Sequence, residues 1–245
     1  VLLIQCLFFA DGGLLALGCN IWNMAFYGCF VGALLIWKQM MKNGVTKKKI
    51  TIASIGGCII ALQLGAFSVT IETLLSGVTE LPFTVFLAAM QPIHLAIGLV
   101  EGIITAAVLC FVYDARPELI WTGASVTATE KKAKLSYKAL VCVLAVTAVL
   151  IGGGLSHLAS GDPDGLEWSM EKVAGTTELD AKGTAYKTAA EIQEHTALLP
   201  DYAFKNNESM AGTSFSGVAG AAVVVVVCIG GCYLFKFFGK NQKHE

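Results

Sequence analysis

The sequence predicts an all-α fold: a polytopic transmembrane helix bundle of about five full spans plus one partial N-terminal span, with a long extracytoplasmic loop. Two observations carry this reading. Long apolar stretches recur at 14–41, 50–76, 83–113, 137–158 and 214–238, and a helix needs about 20 mostly apolar residues to cross a hydrocarbon core. Alternate gaps between them are basic. The first holds Lys38, Lys42, Lys47, Lys48 and Lys49, the second Arg116, Lys131, Lys132, Lys134 and Lys138, and the C-terminal tail Lys236, Lys240 and Lys243, together thirteen of the seventeen Lys and Arg residues. Short loops rich in Lys and Arg stay cytoplasmic, so these three segments are expected inside. The stretches around Asp11 to Gly13, Ser76 to Pro82 and Ala159 to Thr213 then face outward.

The bulk composition agrees, with 55% hydrophobic and 14% charged residues, far from an ordinary soluble chain. The net charge of −1 conceals a dipolar layout, because ten of the eighteen acids lie in the outer loop. No basic nucleic-acid-binding stripe is present. All eight cysteines fall within apolar stretches and the outer loop has none, which argues against a disulfide framework. They read as small apolar packing residues, Cys228 and Cys232 included.

Taken in order, Val1 to Ala10 is apolar but reaches the Asp11-Gly12-Gly13 turn after ten residues, about 15 Å of helix and half a membrane core. It lacks the basic start and small-residue cleavage site of a signal peptide. The expectation is a chain that begins partway through a helix, with part of the natural protein upstream of Val1.

The second stretch carries Asn20 and Asn23, three residues apart and expected on one helical face. They are either glue between helices or the lining of a cavity. Gly28 and Gly32 predict a close helix contact. In the third stretch Glu72 lies near the outer end and reads as interfacial. The fourth exceeds one span and contains Pro92, which breaks a mid-helix hydrogen bond. Phe83 to Gln91 is therefore expected as a short outer helix or bent lead-in, followed by a span from about Ile93 to Tyr113.

His94 and Glu101 share a face of this span, but about 10 Å of axial separation forbids one ion bridging both. His94 either lines the outer mouth or sits at the interface. Glu101 is either structural or part of a transport path, since ionisable groups inside a membrane are functional candidates by default. Residues 117–136 form a polar cytoplasmic linker between a first module, 1–116, and a second, 137–245. The second has two transmembrane helices and the outer loop 159–213, with a helix expected from about Ala185 to Thr196.

The run Phe9 to Ala25, FADGGLLALGCNIWNMA, closely resembles a loop and helix of the substrate-binding membrane component of nickel/cobalt energy-coupling-factor transporters. His94 to Thr105, HLAIGLVEGIIT, looks like that family's final core helix. In the second module Pro163, Asp164, Gly165, Leu166, Glu167 and Trp168, together with TALLPDY at 196–202, resemble the small accessory component of the same systems. The resemblance is thus to a fused substrate-binding and accessory subunit.

That resemblance implies a non-catalytic subunit in the cell membrane of a prokaryote, its C-terminus cytoplasmic. It would capture Ni2+ or Co2+ outside and pass it inward with a separate transmembrane scaffold subunit and cytoplasmic ATPase subunits. No resident cofactor is implied. In the family the ion is held by an N-terminal Met-His pair and a further His in an early loop. Neither is present here, so no direct ligand is assigned by matching, and the direct ligands are expected upstream of Val1. Asp11, Asn20, Asn23 and His94 remain as candidates for lining one side of the pocket.

Asp11 stands where many cobalt-type relatives carry His, which leans toward nickel, although Asp-Gly-Gly is also an adequate turn sequence by itself. The chain has no G-x-x-x-x-G-K-[ST] phosphate loop, so ATP hydrolysis falls to other polypeptides. Two alternatives are a membrane-anchored sensor using the outer loop and a membrane enzyme using His94 and Glu101. The loop has one His, His195, and no metal-spaced cluster. No nucleophile, base and orienting group are grouped for bond chemistry.

Overall fold

The computed structural model describes residues 1–77, 81–123, 133–158, 162–177, 183–205 and 210–241. Its regular elements are helices: α1 (Leu2–Phe9), α2 (Leu17–Met41), α3 (Lys47–Ser76), α4 (Phe83–Ala115), α5 (Tyr137–Gly153), α6 (Gly165–Ala174), α7 (Thr184–Thr196) and α8 (Met210–Asn241), with short 3-10 turns between some of them. Helices α2, α3 and α4 and the segment Ala211–Lys236 of α8 are long and apolar enough to cross a membrane, and α5 is a shorter apolar helix. Seventeen residues lie at the low end of the spanning range. Much of the expected linker, 124–132, and the basic residues Lys131, Lys132 and Lys243 fall outside the described residues, as do 159–161, 178–182 and 206–209 of the expected outer loop.

The chain forms two compact units. One comprises Val1–Leu17, Cys142–Ser160 and Gly183–Glu245, the other Gly18–Val141 and Gly161–Lys182.

In the second unit, α3 starts at Thr46, whose side chain accepts from Lys49 N at 3.2 Å, filling one of the donors a helix start leaves open. It stops at Gly77, which takes the left-handed φ of 62° that glycine adopts without steric cost. Helix α2 is wound as a π-helix over Ile21–Trp37, and Lys38 N–H reaches back five residues to Ala33 O. Trp22, Phe26 and Phe30 stack along it every four residues, with ring centroids 4.3 and 4.8 Å apart.

Small residues bring the helices together. A Cβ built on Gly65 of α3 would lie 2.3 Å from Asn23 O of α2, and one on Gly102 of α4 would lie 2.6 Å from Ile55 Cα of α3. Such close approach replaces hydrophobic driving force inside lipid. The expected Gly28–Gly32 contact is made only in part. Gly32 lies against Gly57, whereas Gly28 is exposed with nothing near it.

Helix α4 is one unbroken helix from Phe83 to Ala115, which corrects the expected division at Pro92. The proline removes the donor that Ala88 O would receive in a regular helix, and side chains next to it tie α4 to α3 and to its own preceding turn. Gln63 Nε2 donates to Gln91 O at 2.9 Å, Gln91 Nε2 returns a bond to Gln63 O at 3.2 Å, and His94 Nδ1 meets Met90 O at 2.8 Å. A membrane helix tolerates proline when adjacent side chains satisfy the groups around it.

At the Lys-rich end, Trp37, Met41, Ile50, Ala53, Tyr113 and Ile120 form a buried cluster. Tyr113 OH donates to Val45 O and Trp37 Nε1 to Trp121 O. Ion pairs join Lys47 to Asp114 and Arg116 to Glu118.

In the first unit α5 and α8 meet at Gly152 and Gly217, where a Cβ on Gly217 would lie 2.6 Å from Gly152 O, and Ser214 Oγ donates to Gly153 O at 2.7 Å. The cysteines are all free, and Cys19, Cys29, Cys142, Cys228 and Cys232 are exposed. The packing role expected for Cys228 and Cys232 is therefore not observed within this chain. Close contacts are made by glycines, which allow backbones nearer than any thiol.

Candidate functional site

The Asp11 turn is built by residues far apart in sequence. Helix α1 ends at Ala10, in left-handed geometry with φ 59°, and Gly12 and Gly13 follow with φ of 76° and 73°. Gln5 Nε2 donates to Asp11 Oδ2 at 3.3 Å, and Tyr202 OH donates to the same oxygen. Gln193, 7% exposed, clamps both sides of the turn. Its Oε1 accepts from Leu14 N at 2.9 Å and its Nε2 donates to Cys6 O at 3.1 Å. Asp11 thus serves as the acceptor that fixes its own turn.

Tyr202 closes this arrangement from a strained backbone. Asp201 and Tyr202 both have positive φ, 49° and 58°, a region non-glycine residues enter only when surrounding contacts impose it. Those contacts are the bond to Asp11, stacking on Phe9 at 4.7 Å, and Ser216 Oγ donating to Tyr202 O at 2.8 Å.

Burial, and then the bond to Asp11, pushes the Tyr202 phenol from 10.0 up to about 12. A group whose folded pKa is raised contributes stability that is complete below its unfolded pKa and lost as pH rises through the folded one. The clamp is therefore expected to hold at neutral pH and to loosen between about pH 10 and 12. Hydrogen exchange of residues 11–14 should accelerate across that window, and Tyr202→Phe should remove the pH dependence by leaving nothing to titrate.

In the other unit, Asn23 is 6% exposed and its Nδ2 donates to Glu72 Oε2 at 2.9 Å. Glu72, four residues before the end of α3, thus bonds α2 from α3. The shared face expected for Asn20 and Asn23 is not used as a pair. Asn20 is half-buried, and no hydrogen bond among the described residues joins it to Asn23. The wider π turn rotates residues three apart away from one face. Residues four apart stay in a row instead, and Tyr27 OH meets Ser68 Oγ at 2.7 Å one step along.

His94 lies under α6. Its Nδ1 faces Met90 O at 2.8 Å, a carbonyl that can only accept, so Nδ1 is the donor. A Cβ on Gly165 would come within 3.2 Å of the His94 ring and 2.8 Å of Ile97 Cδ1, so a glycine here lets α6 seat on α4. Asp164 caps α6, its Oδ1 accepting from Leu166 N and Glu167 N at 2.8 Å each, while Glu167 Oε2 accepts from Asp164 N at 3.2 Å. This reciprocal capping box follows Pro163 directly. Leu166, Met170 and Val173 of α6 then pack on Ala66, Leu81, Phe86 and Met90.

Glu101 is exposed at the middle of α4. No group of three or more His, Cys, Asp or Glu side chains is arranged to hold a metal among the described residues. Sequence reasoning did not single out Gln193 or Tyr202 for the Asp11 turn, and nothing local marks them. Both act across more than 175 residues of chain.

Comparison with known proteins meets this geometry at both modules. Residues 1–119 match the family described as the cobalt uptake substrate-specific transmembrane region, and residues 138–237 match the PDGLE domain. A fused nickel transport protein of Archaeoglobus fulgidus is 32% identical over 229 residues, covering 93% of this chain and 67% of the relative. A fused nickel transport protein of Rhodobacter capsulatus is 28% identical over 251 residues, 91% of this chain and 69% of the relative. A cobalt transport protein of Sorangium cellulosum is 35% identical over 132 residues, 49% of this chain and 53% of the relative. No solved structure matches the chain. Similarity running through both modules, in this order and in an all-helical membrane bundle, identifies the chain as a member of the family of fused substrate-binding and accessory membrane components of nickel/cobalt transporters.

Proposed function

We propose that this chain is the metal-ion-binding membrane subunit of an ATP-driven nickel or cobalt uptake transporter. It captures the divalent ion outside a prokaryotic plasma membrane and passes it inward together with an energy-coupling-factor scaffold subunit and separate cytoplasmic ATPases. Residues 1–116 form the substrate-binding module and 137–245 the accessory module, with the C-terminus cytoplasmic. The observation that carries this reading is the 32% identity to a fused nickel relative along 93% of the chain. Nickel leads cobalt because the two fused relatives are named for nickel transport, and because Asp rather than His precedes the Gly-Gly pair. The test is uptake of radiolabelled nickel by cells lacking the chain's gene, with the partner subunits intact. Restoration by the wild-type gene supports the reading, and uptake that is the same with and without the gene overturns it.

The outer loop contributes by propping the outer end of α4 through α6. Its acids suggest a second role, drawing cations by long-range attraction that fades with salt, but Asp164 and Glu167 are committed to capping. Asp164→Ala removes the cap, at a cost of about 0.5–2 kcal/mol. Nickel uptake at matched protein levels is expected to fall equally at low and high ionic strength, and Asp164→Ser, a neutral cap, to restore it. A serine variant as defective as the alanine one would favour attraction by charge.

A further inference from the structure

The outer ends of α2 and α3 share a polar seam inside an otherwise apolar contact. Cys19, Asn23 and Tyr27 recur every four residues on α2, and Ser68 and Glu72 answer them on α3. The Cys19 thiol is free and stands four residues before Asn23 in the same row of α2.

Asn23 is only half satisfied. Its Nδ2 donates to Glu72, which sets the amide's orientation, because a carboxylate accepts and cannot face Oδ1. That Oδ1 is buried without a hydrogen-bond partner among the described residues. Leaving such an acceptor unmet costs about 1–3 kcal/mol, and few buried polar groups go without a partner. Amide bond lengths place Oδ1 about 2.2 Å from Nδ2, and Nδ2 is 2.9 Å from Glu72 Oε2. A half-turn of the amide exchanges Nδ2 and Oδ1, and Oδ1 and the carboxylate can then share one cation at metal–oxygen distances of about 2.0–2.2 Å.

We propose that Cys19 Sγ, Asn23 Oδ1 and the Glu72 carboxylate form a binding site for a divalent transition-metal ion, a station on the ion's inward path. The thiol gives its proton to water as the metal–sulfur bond forms, so the dication, the thiolate and the carboxylate sum to zero charge. A neutral complex suits a low-dielectric surrounding, where an uncompensated charge is costly. The thiolate selects nickel, cobalt, copper or zinc over magnesium and calcium, which prefer all-oxygen sites. The Tyr27 and Ser68 hydroxyls, one step along both helices, offer oxygen ligands toward the Lys-rich end. Metal binding at this site stands by itself. Its place on a transport path rests on the proposed function.

The test uses the 245-residue chain in lipid nanodiscs, titrated with Ni(II) alone. Binding is followed by equilibrium dialysis and by thiolate-to-metal charge-transfer absorption in the near ultraviolet. The expected result is saturable binding that a hundredfold excess of Mg2+ leaves unchanged. Glu72→Gln, which keeps the side chain's shape, should weaken it at least tenfold, and Cys19→Ser should abolish the absorption. Binding and absorption unaltered in both variants would overturn the site, and so would the absence of binding to a chain whose circular dichroism shows it folded.

Cell uptake separates this from the parent reading. Glu72→Gln protein that fails to bind in nanodiscs yet supports full uptake removes the station from the path while the proposed function stands. Binding as expected with no uptake by wild-type cells supports the site and overturns the function instead.

Discussion

Phe86→Ala should release α6 from the N-terminal end of α4. Phe86 is 1% exposed and sits with Ala66, Leu81 and Met90 beneath Leu166, Met170 and Val173. Truncating a buried aromatic ring removes its contacts and leaves a cavity that the surroundings fill only in part, at a cost of about 3–5 kcal/mol. That exceeds what a short capped helix contributes by itself, so the loss should appear locally before the bundle melts. Hydrogen exchange over 165–174 is expected to rise steeply while the Lys-rich end, held by Tyr113 and Trp37, keeps its protection. Val85→Ala, one residue away but 53% exposed, provides the control and should change stability by less than about 0.5 kcal/mol. Equal protection of α6 in both variants would show that its seat does not depend on this cluster.

Gly65→Ala should pry α2 from α3. The added methyl would stand 2.3 Å from Asn23 O, and that neighbour is main chain, which cannot swing aside as a side chain does. Overpacking of this kind costs about 1–3 kcal/mol, and Gly65→Val should cost more. Because the collision falls on Asn23 itself, the bond to Glu72 is expected to break as the helices separate. Thermal melting in detergent should shift down for Gly65→Ala and stay unchanged for Gly28→Ala, whose added methyl meets nothing within 4 Å. An unshifted Gly65→Ala melt would mean that the two helices do not approach so closely.

Particular residues show where sequence reading succeeded. The four long apolar helices, and the shorter fifth, lie where hydropathy put them, and the helix expected from Ala185 to Thr196 forms from Thr184 to Thr196. These are properties of single segments. Pro92 misled because its missing donor is a local fact, whereas the Gln63–Gln91 exchange that ties α4 to α3 beside it belongs to two helices. Asn20 and Asn23 were paired by α-helical spacing, but α2 is wound more widely, and only Asn23 meets a partner.

The sequence by itself determined the apolar helices that suit a bilayer and the family the chain resembles. Helix rise and the number of apolar residues decide spanning length, and a motif is legible wherever its residues are contiguous. Only the tertiary structure decided which polar groups meet. Asn23 finds Glu72 across 49 residues, Gln193 finds Cys6 across 187, and Tyr202 finds Asp11 across 191. Hydropathy carries no register between helices. Those pairings depend on how deeply one helix slides along another, which is set by close contacts such as Gly65 on Asn23 and by the strained turn at Asp201 and Tyr202.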